Sequence, residues 1–170
     1  MLDIIDDLAP FFEDGYRSIS VREYAKLVCV SPPTASKLLK DFAKKGYLQW
    51  RAERRHLFFT LRIENEGVID LCRLYWKQKL QKVSEVFQAK LVGASGILFG
   101  SLAKAEVKPE SDIDIAIFAP EKKTLDLKLF EKSFGRKISV HWFKSLKEIK
   151  NGHLSNNIIN GAVLFGKVKL

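Results

Sequence analysis

The residues from Gly96 to Phe118, GILFGSLAKAEVKPESDIDIAIF, constrain the fold of this chain more than any other stretch. An apolar run at Ile97–Phe99 is followed at once by Gly100-Ser101 and a polar segment, and a second apolar run covers Ile113–Phe118. Short apolar runs that are bounded by turn residues are typical of buried strands. The sequence therefore predicts two core strands joined by a polar connection.

Two carboxylates lie at the start of the second run. Side chains alternate between the two faces of a strand, so Asp112 and Asp114 share one face while Ile113 points into the core. Mg²⁺ prefers oxygen ligands and is usually held by one or two carboxylates together with substrate phosphates. Gly100-Ser101 supplies backbone N–H groups and a hydroxyl, which suit a triphosphate. The combination predicts metal-dependent chemistry on a nucleotide.

The charge of the chain points to an anionic partner. The 170 residues are 46% hydrophobic and 29% charged, as in ordinary soluble globular proteins, but the net charge is +9 and the pI is about 9.5. Nucleic acid is the commonest partner of such a basic chain, although proteins that bind only nucleotides are also basic.

Other sequence features exclude several classes. Cys29 and Cys72 lie in apolar helical patterns without a CxxC partner, which favours a buried structural role over a disulfide or a metal site. No apolar run approaches the roughly 18 residues that a membrane span needs. The N-terminus, MLDIIDDLAP, is acidic where a signal peptide would be basic. We expect a cytoplasmic protein without a membrane partner.

Helical patterns fill the first 45 residues. Apolar residues at helical spacing predict a first helix that ends near Asp14-Gly15; they are Leu2, Ile5, Leu8 and Phe12. Ser20 and Glu23 have the spacing of a capping box for a helix over Val21–Leu27.

A third helix is predicted from Thr34 to Lys45, with Ser31 as its cap and Pro32 at its first position. Its buried stripe comprises Ala35, Leu38, Leu39 and Phe42.

Two strand-like runs follow, Tyr47–Arg51 and His56–Leu61, with Arg54-Arg55 at the turn. Helix, short helix, basic helix and hairpin, over SVREYAKLVCVSPPTASKLLKDFAKKGYLQWRAERRHLFFTL, resemble the winged helix-turn-helix family. The resemblance implies that the third helix enters the major groove of DNA and that the wing reaches phosphates or the minor groove. The implied DNA-binding residues are Thr34, Ser36, Lys37, Arg51, Arg54 and Arg55, with His56 as a further wing residue. The alternatives are a solvated basic surface and a protein-docking module.

A long connecting helix is predicted over Glu64–Leu91. Its apolar stripe steps by three or four residues through Val68, Cys72, Trp76, Leu80, Val83, Phe87 and Leu91. Such a stripe favours intramolecular packing, and the seam of a homodimer is the alternative.

From Gly93 onward strands and helices alternate, which predicts a small α/β domain. The predicted strands are Ile97–Phe99, Ile113–Phe118, Ile138–Phe143 and Ala162–Phe165. The predicted helices are Ser101–Ala105, Leu125–Phe134, a helix from Ser145 to Asn151 with Glu148 in capping-box position, and Ser155–Asn160.

Gly100-Ser101 followed by Ser111-Asp112-Ile113-Asp114 resembles the GS…SDxD signature of nucleotidyltransferases related to DNA polymerase β. The likeness is nearest to the minimal nucleotidyltransferase branch and extends from Ile97 to Gly166. It implies an α/β (α+β) fold with a mixed sheet, in which Gly100 and Ser101 hold the triphosphate of an NTP. Asp112 and Asp114 would bind one or two Mg²⁺ ions for an in-line attack on the α-phosphorus.

Two further residues belong to the implied nucleotide site. Lys104 would act as a point charge on phosphate, and Ser111 would cap or brace the turn before the aspartates. The resulting domain prediction is a winged helix-turn-helix at 1–63, a connecting helix at 64–92 and a nucleotidyltransferase-like domain at 93–170.

The chain departs from the family's pattern at two places. Lys104-Ala105 replaces the usual Arg-Gly, which keeps the charge but loses the guanidinium fork and the freedom of glycine. The third carboxylate of active members would lie on the strand Lys137–Trp142, where Ser139 and His141 are the residues that could face the metals. Asp126 and Glu131 fall on the preceding helix and are poor substitutes.

His141 is a general-base alternative, since the reference pKa of imidazole is about 6.5, but a structural role is the commoner one for a strand histidine. Three functions fit this reading. The chain is a nucleotidyltransferase acting on an acceptor such as a protein hydroxyl, or a DNA-binding regulator whose nucleotidyltransferase domain is a sensor. Minimal nucleotidyltransferases are also often antitoxins of helical HEPN toxins, so the resemblance suggests that pairing as well.

Overall fold

The computed structural model describes residues 2–167, with side chains described from Ile4 onward. Met1 and residues 168–170, which the predicted domains 1–63 and 93–170 include, lie outside the described residues, as does the side chain of Leu2. The chain forms two compact units. The first runs to Tyr75 and also takes in Ala105–Pro109, and the second comprises Trp76–Lys104 and the chain from Glu110 onward.

The first unit contains three helices, a short strand and a hairpin. In chain order these are α1 (Leu2–Phe12), β1 (Ile19–Ser20), α2 (Val21–Leu27), α3 (Pro32–Lys44), β2 (Leu48–Glu53) and β3 (His56–Leu61), after which α4 (Glu66–Lys79) begins. The strands form an antiparallel sheet in the order β1-β3-β2. The predicted order of helices and hairpin is confirmed within the described residues.

Local capping explains where α2 and α3 begin. The Ser20 hydroxyl accepts a hydrogen bond from the Glu23 N–H at 3.3 Å, and the Glu23 carboxylate accepts one from the Ser20 N–H at 3.4 Å. This is the predicted capping box. The Ser31 hydroxyl accepts from the Thr34 N–H at 3.3 Å, so α3 begins at Pro32 and not at Thr34.

The apolar side of α3 supplies the core of the first unit. Ala35, Leu39 and Phe42 are buried, and Leu38 is half-buried. From β3, Phe59 and Leu61 are buried as well. Only Leu48 of β2 is buried, which leaves the rest of this edge strand exposed.

The prediction of a single connecting helix is wrong. The chain forms α4 and then α5 (Gln81–Lys90), with Leu80 between them at φ −90° and ψ 7°. The apolar stripe continues through the break, so its seven side chains remain buried: Val68, Cys72, Trp76, Leu80, Val83, Phe87 and Leu91.

The second unit is built on a four-stranded mixed sheet. Its remaining elements are β4 (Ser95–Phe99), β5 (Ile113–Phe118), α6 (Lys128–Phe134), β6 (Ile138–Phe143), α7 (Gly152–Ile159) and β7 (Ala162–Phe165), with short 3₁₀ helices at Ser101–Ala103 and Leu146–Glu148. The strand order is β6-β5-β4-β7, with β5 and β6 parallel and the other pairs antiparallel. The predicted mixed α/β architecture is confirmed.

Four predicted helices of this unit differ from the structure. The helix predicted at Ser155–Asn160 is α7, which begins at Gly152 and ends at Ile159. The predicted helix at Ser101–Ala105 is a 3₁₀ helix that ends at Ala103, and α6 begins at Lys128 and not at Leu125. The Ser145 side chain makes no capping bond, and the Glu148 carboxylate accepts from the Lys144 N–H at 2.7 Å instead of capping Ser145. A 3₁₀ turn therefore replaces the helix predicted there. No helix in residues 2–167 is long and apolar enough to cross a membrane.

Candidate active site

Asp112 and Asp114 lie where β5 begins, in the middle of the sheet. Asp114 is directly opposite Phe99 on β4 and Ser139 on β6. Ile113 is fully buried, whereas both aspartates are partly exposed. The alternation predicted from the sequence is therefore present, because the two carboxylates lie on one face of the strand and Ile113 packs into the core.

The polar side chains of β6 contact the two aspartates. The Ser139 hydroxyl donates a hydrogen bond to Asp112 Oδ2 at 3.2 Å. His141 Nε2 lies 3.6 Å from Asp114 Oδ1, and its ring meets the Phe99 ring edge-on at 5.2 Å between centroids. These are the two β6 positions where the sequence lacked a carboxylate, and each interacts with one aspartate.

The surroundings of Asp114 disfavour its charged form. Burial raises the pKa of the Asp114 carboxyl, and the nearby Asp112 carboxylate raises it further, while His141 acts in the opposite direction. The net pKa lies above the ordinary value for aspartate. A positive charge bound at this carboxylate would relieve both unfavourable effects.

Gly100 brings the backbone close to Asp114. Its φ of 77° and ψ of −153° belong to a region that only glycine adopts readily. A Cβ at this position would lie 2.6 Å from Asp114 Oδ2. The turn between β4 and the 3₁₀ helix therefore needs glycine for two reasons, its backbone conformation and its contact with the carboxylate.

Ser101 begins the 3₁₀ helix that follows Gly100. The N–H of Ala103 donates to the Gly100 carbonyl at 3.2 Å, and that of Lys104 donates to the Ser101 carbonyl at 3.1 Å. Within residues 2–167 the Ser101 hydroxyl makes no hydrogen bond, so it remains available to a ligand. Lys104 is half-buried at the end of this turn.

Ala105, which stands where the family usually has glycine, has a backbone conformation that favours glycine. Its φ is 59°, in the left-handed region, and its side chain is fully buried. The departure from glycine at this position therefore has a conformational cost, because a side chain disfavours positive φ.

Arg136 is a residue that the sequence reasoning missed. Its guanidinium donates to the Ser111 carbonyl at 2.9 Å and lies over the Trp76 ring, 5.4 Å from the centroid. Arg136 is only 8% exposed. The bond fixes the residue immediately before Asp112, and the only sequence signal was an arginine between Gly135 and an apolar strand.

The two other carboxylates considered for the site stabilise local structure instead. Glu131 Oε1 accepts from the Ile138 N–H at 2.9 Å, and Asp126 Oδ1 accepts from the Lys128 N–H at 3.2 Å. In the described part of the chain, no group of three or more His, Cys, Asp or Glu side chains is arranged to hold a metal ion.

The donor set at β5 nevertheless suits a hard cation. Asp112 and Asp114 offer carboxylate oxygens, and only one oxygen of each is engaged by Ser139 or His141. One or two carboxylates completed by phosphate oxygens and water is the usual protein environment of Mg²⁺.

A family model described as "Polymerase beta, Nucleotidyltransferase" matches residues 81–169, slightly more than half of the chain. The chain belongs to this nucleotidyltransferase family. The match supports nucleotidyltransferase activity in general, and members of the family generally use an NTP and a divalent metal. Among curated proteins, none matches the sequence.

The residues predicted to bind DNA all lie in the first unit of this polymerase-beta-type chain. At the start of α3, Thr34 and Lys37 are exposed and Ser36 is half-buried, and the Thr34 hydroxyl lies 2.8 Å from that of Ser31. Thr34 is therefore partly engaged in the helix cap.

On the hairpin, Arg51, Arg54 and Arg55 are exposed. Arg51 lies 3.9 Å from Glu53, and Arg54 and Arg55 form the two-residue turn with φ of 45° and 67°. Three arginines are thus presented to solvent on one hairpin, and their role in DNA binding stays a prediction.

Proposed function

We propose that this chain is a Mg²⁺-dependent nucleotidyltransferase that transfers a nucleoside monophosphate from an NTP to a hydroxyl acceptor. One observation carries the proposal. Asp112 and Asp114 share a face at the start of β5, and the Gly100 backbone approaches Asp114 so closely that a Cβ would lie 2.6 Å from its carboxylate. This geometry supports a proposed metal site that adjoins the proposed phosphate-binding turn.

Each residue of the site has a role in this proposal. Asp112 and Asp114 hold the cation, which when bound neutralises charge on the phosphates and orients them. Gly100 and Ser101 bind the triphosphate through backbone N–H groups and the free hydroxyl. Lys104 adds a point charge on phosphate, and Ser111 positions the aspartates through the bond that its carbonyl accepts from Arg136.

Transfer requires that a proton leave the acceptor hydroxyl. Its oxygen bonds to the α-phosphorus, the bond from that phosphorus to the bridging oxygen breaks, and pyrophosphate leaves. Ser139 and His141 are the β6 side chains that contact the aspartates, and the His141 imidazole is the one that would accept this proton. Active members of the family have a carboxylate on this strand, so we expect transfer to be slow in its absence.

Label transfer from α-labelled NTPs in the presence of Mg²⁺ tests this function. Wild-type protein should label itself, a partner protein or an oligonucleotide, and Asp112→Asn and Asp114→Asn should abolish the label. Asp126→Asn is the matched control. Within residues 2–167 the Asp126 carboxylate accepts a hydrogen bond from the nearby Lys128 N–H and contacts neither aspartate. Equal labelling by wild type and the two active-site variants would refute the proposal.

We further propose that the first unit is a winged helix-turn-helix that binds DNA. The support is the order of α2, α3 and the β2–β3 hairpin, together with exposed cations at the start of α3 and at the hairpin turn. Phosphate contacts by such residues release counterions, so the affinity should fall steeply with salt. Arg54→Ala with Arg55→Ala should weaken binding and reduce the salt slope, whereas unchanged binding would contradict the role of the hairpin.

The alternative function is a DNA-binding regulator whose second unit senses nucleotide without transferring it. It is favoured by Ser139 and His141, which occupy the β6 positions beside the aspartates without adding a carboxylate. The two functions differ in calorimetry and in labelling. A sensor binds Mg²⁺-NTP through Asp112 and Asp114 and changes its DNA affinity, but no label is transferred to any acceptor.

The antitoxin role rests on the resemblance to minimal nucleotidyltransferases. In this version the acceptor is a helical HEPN-type toxin, and the DNA-binding unit regulates transcription of the pair. Co-purification with the product of a neighbouring gene that encodes a small helical protein tests the pairing. A neighbour that neither binds the chain nor accepts label would exclude it.

A further inference from the structure

A cavity of about 730 Å³ lies in the first unit between the C-terminal half of α3 and the β2–β3 hairpin. We call it the Trp50 groove and define it by six of its lining residues: Lys40, Lys44, Leu48, Trp50, Leu57 and Arg62. Its volume is within the range of small-molecule sites, about 300–1,000 Å³. None of these residues belongs to the predicted duplex contacts at the start of α3 and at the hairpin turn.

The apolar part of the groove is one face of the hairpin. Trp50 is directly opposite Phe59, and Leu48 is directly opposite Leu61, so their side chains lie on the same face. Leu48, Phe59 and Leu61 are buried, whereas Trp50 is 59% exposed. The core of the unit thus continues outward to a large aromatic side chain that is more than half exposed.

The polar part of the groove is positive. Lys40 and Lys44 are one turn apart on α3, and Arg62 follows β3. Along residues 2–167 none of these three cations takes part in an ion pair. The lining contains no carboxylate. The groove therefore combines an exposed indole with three cations whose charge is not neutralised by the protein.

We propose that the Trp50 groove binds an unpaired nucleotide, with the base stacked on Trp50 and the phosphate at Lys40, Lys44 and Arg62. Every base has a π-face, and stacking platforms beside cationic tracks are the common means of binding single strands. Duplex DNA offers phosphates but keeps its bases stacked inside, so it would not use the indole. An acidic peptide would use the cations but has no general need for a flat aromatic surface.

Titrations of full-length protein with oligothymidine, AMP, duplex DNA and poly-glutamate test this inference, with tryptophan emission as the readout for the wild type and calorimetry as the readout for the wild type and every variant, because the Trp50 variants lack the reporting indole. Oligothymidine should quench tryptophan emission in the wild type, and Trp50→Ala should weaken its binding about tenfold, within the range for base–aromatic stacks. Trp50→Phe should restore most of the affinity because it retains an aromatic face. Lys40→Ala with Lys44→Ala should lower the affinity and the salt slope, while Lys26→Ala is the control, because it removes an exposed cation of α2 that does not line the groove.

The arms of the experiment separate the ligand sources. Saturable quenching by AMP that competes with oligothymidine identifies a free nucleotide, and quenching by the oligonucleotide alone identifies a strand; both support the proposal. Binding of oligothymidine that Trp50→Ala leaves unchanged overturns it. The proposal is also overturned if Trp50→Ala loses as much affinity for duplex DNA as for oligothymidine. It is overturned as well if poly-glutamate binds in a manner that depends on Trp50 and nucleotides do not bind. Because Trp50 is largely exposed, we expect Trp50→Ala to fold, and its thermal unfolding confirms that.

Discussion

At the scale of single residues, the candidate site depends on a close approach between backbone and carboxylate. Gly100 has a φ of 77°, and Asp114 Oδ2 is 2.6 Å from the point where a Cβ would lie. Gly135, which ends α6, also has a positive φ of 63°, but a Cβ there would meet no atom within 4 Å. Both glycines have positive φ, but Gly135 has ψ 23° and lies in the left-handed helical region, whereas Gly100 has ψ −153° and lies in a region that only glycine adopts readily. Gly135 is therefore the milder control for Gly100, with less backbone restriction and open space around it.

Gly100→Ala should abolish Mg²⁺-nucleotide binding and lower the free energy of unfolding by about 1–3 kcal/mol, the usual cost of a strained backbone. Gly135→Ala should cost a similar or smaller amount of stability without changing nucleotide binding. Calorimetric titration with a non-hydrolysable NTP and thermal unfolding measure the two effects. Retained binding by Gly100→Ala would mean that this turn does not hold the nucleotide.

The raised pKa of Asp114 leads to a prediction about stability without metal. A carboxyl whose pKa is higher in the folded state binds its proton more tightly when the protein is folded. The free energy of unfolding therefore falls as the pH rises from the unfolded-state pKa to the folded-state pKa, and it stays lower above that pH. Asp114→Asn avoids this loss. In metal-free buffer at pH 7 it should melt above the wild type by a few degrees at most, and the difference should vanish in acid.

With Mg²⁺ the wild type should melt above Asp114→Asn, because the cation stabilises the wild type by binding to the carboxylate at position 114, which the variant lacks. Melting curves with and without Mg²⁺ at pH 7 measure both effects. A wild type that melts above Asp114→Asn in metal-free buffer would show that the His141 interaction outweighs burial.

At the scale of elements, a buried arginine fixes the segment that leads into β5. Arg136 donates to the Ser111 carbonyl at 2.9 Å just before β6 begins. Because β5 and β6 are parallel neighbours, this bond joins the chain at the same ends of both strands. The position of Asp112 thus depends on Arg136, which the sequence did not identify because a lone arginine has no distinctive spacing.

Arg136→Ala should lower the free energy of unfolding by about 2–3 kcal/mol, since it removes a buried charged hydrogen bond. It should also weaken Mg²⁺-dependent thermal stabilisation, because the turn before Asp112 is released. Lys137→Ala is the control: this neighbour is exposed, and its loss should change stability by about 0.5 kcal/mol or less. Equal Mg²⁺ responses in the two variants would leave Arg136 a purely structural role.

At the hairpin turn, the residue types do not match the backbone conformation. Arg54 and Arg55 both have positive φ, whereas two-residue turns of this kind prefer Asn-Gly. Arg54→Asn with Arg55→Gly should therefore stabilise the protein by about 1 kcal/mol while weakening DNA binding. Arg51→Ala, which removes a charge from β2 without altering the turn, should weaken binding without the gain in stability. Stability that does not rise in the double variant would show that the turn is not strained.

Several elements were predictable from local pattern and others were not. Alternation and flanking turn residues identified Ile113–Phe118, Ile138–Phe143 and Ala162–Phe165, with bounds that the structure reproduces. The break at Leu80 was missed because the apolar stripe stays in phase across it and neither glycine nor proline is present there. The Ser145 cap failed because its spacing also permits Glu148 to bind the Lys144 N–H.

At the scale of the whole molecule, the order of the chain does not follow the two compact units. Ala105–Pro109 belongs to the first unit although it lies between Gly100-Ser101 and the aspartates of the second. The motif could be recognised from the sequence because it is a spacing of residues along the chain. The contacts of Ser139 and His141 with Asp112 and Asp114 depend on strand register, which the sequence predicted only as a shared side of the sheet.

The two proposed activities use different residues, and this leads to the last prediction. Asp112→Asn with Asp114→Asn should abolish label transfer and leave duplex affinity within about twofold, since it touches no predicted DNA contact and only reduces negative charge. Arg54→Ala with Arg55→Ala should do the opposite, and it should reduce the slope of log affinity against log salt by about 2, because each lost phosphate contact contributes about 0.9. Parallel transfer assays and salt titrations on both variants measure this. If the arginine variant also loses transfer to a protein acceptor, the two activities are coupled, and a chain of net charge +9 would then use its basic surface to recruit the acceptor as well as DNA.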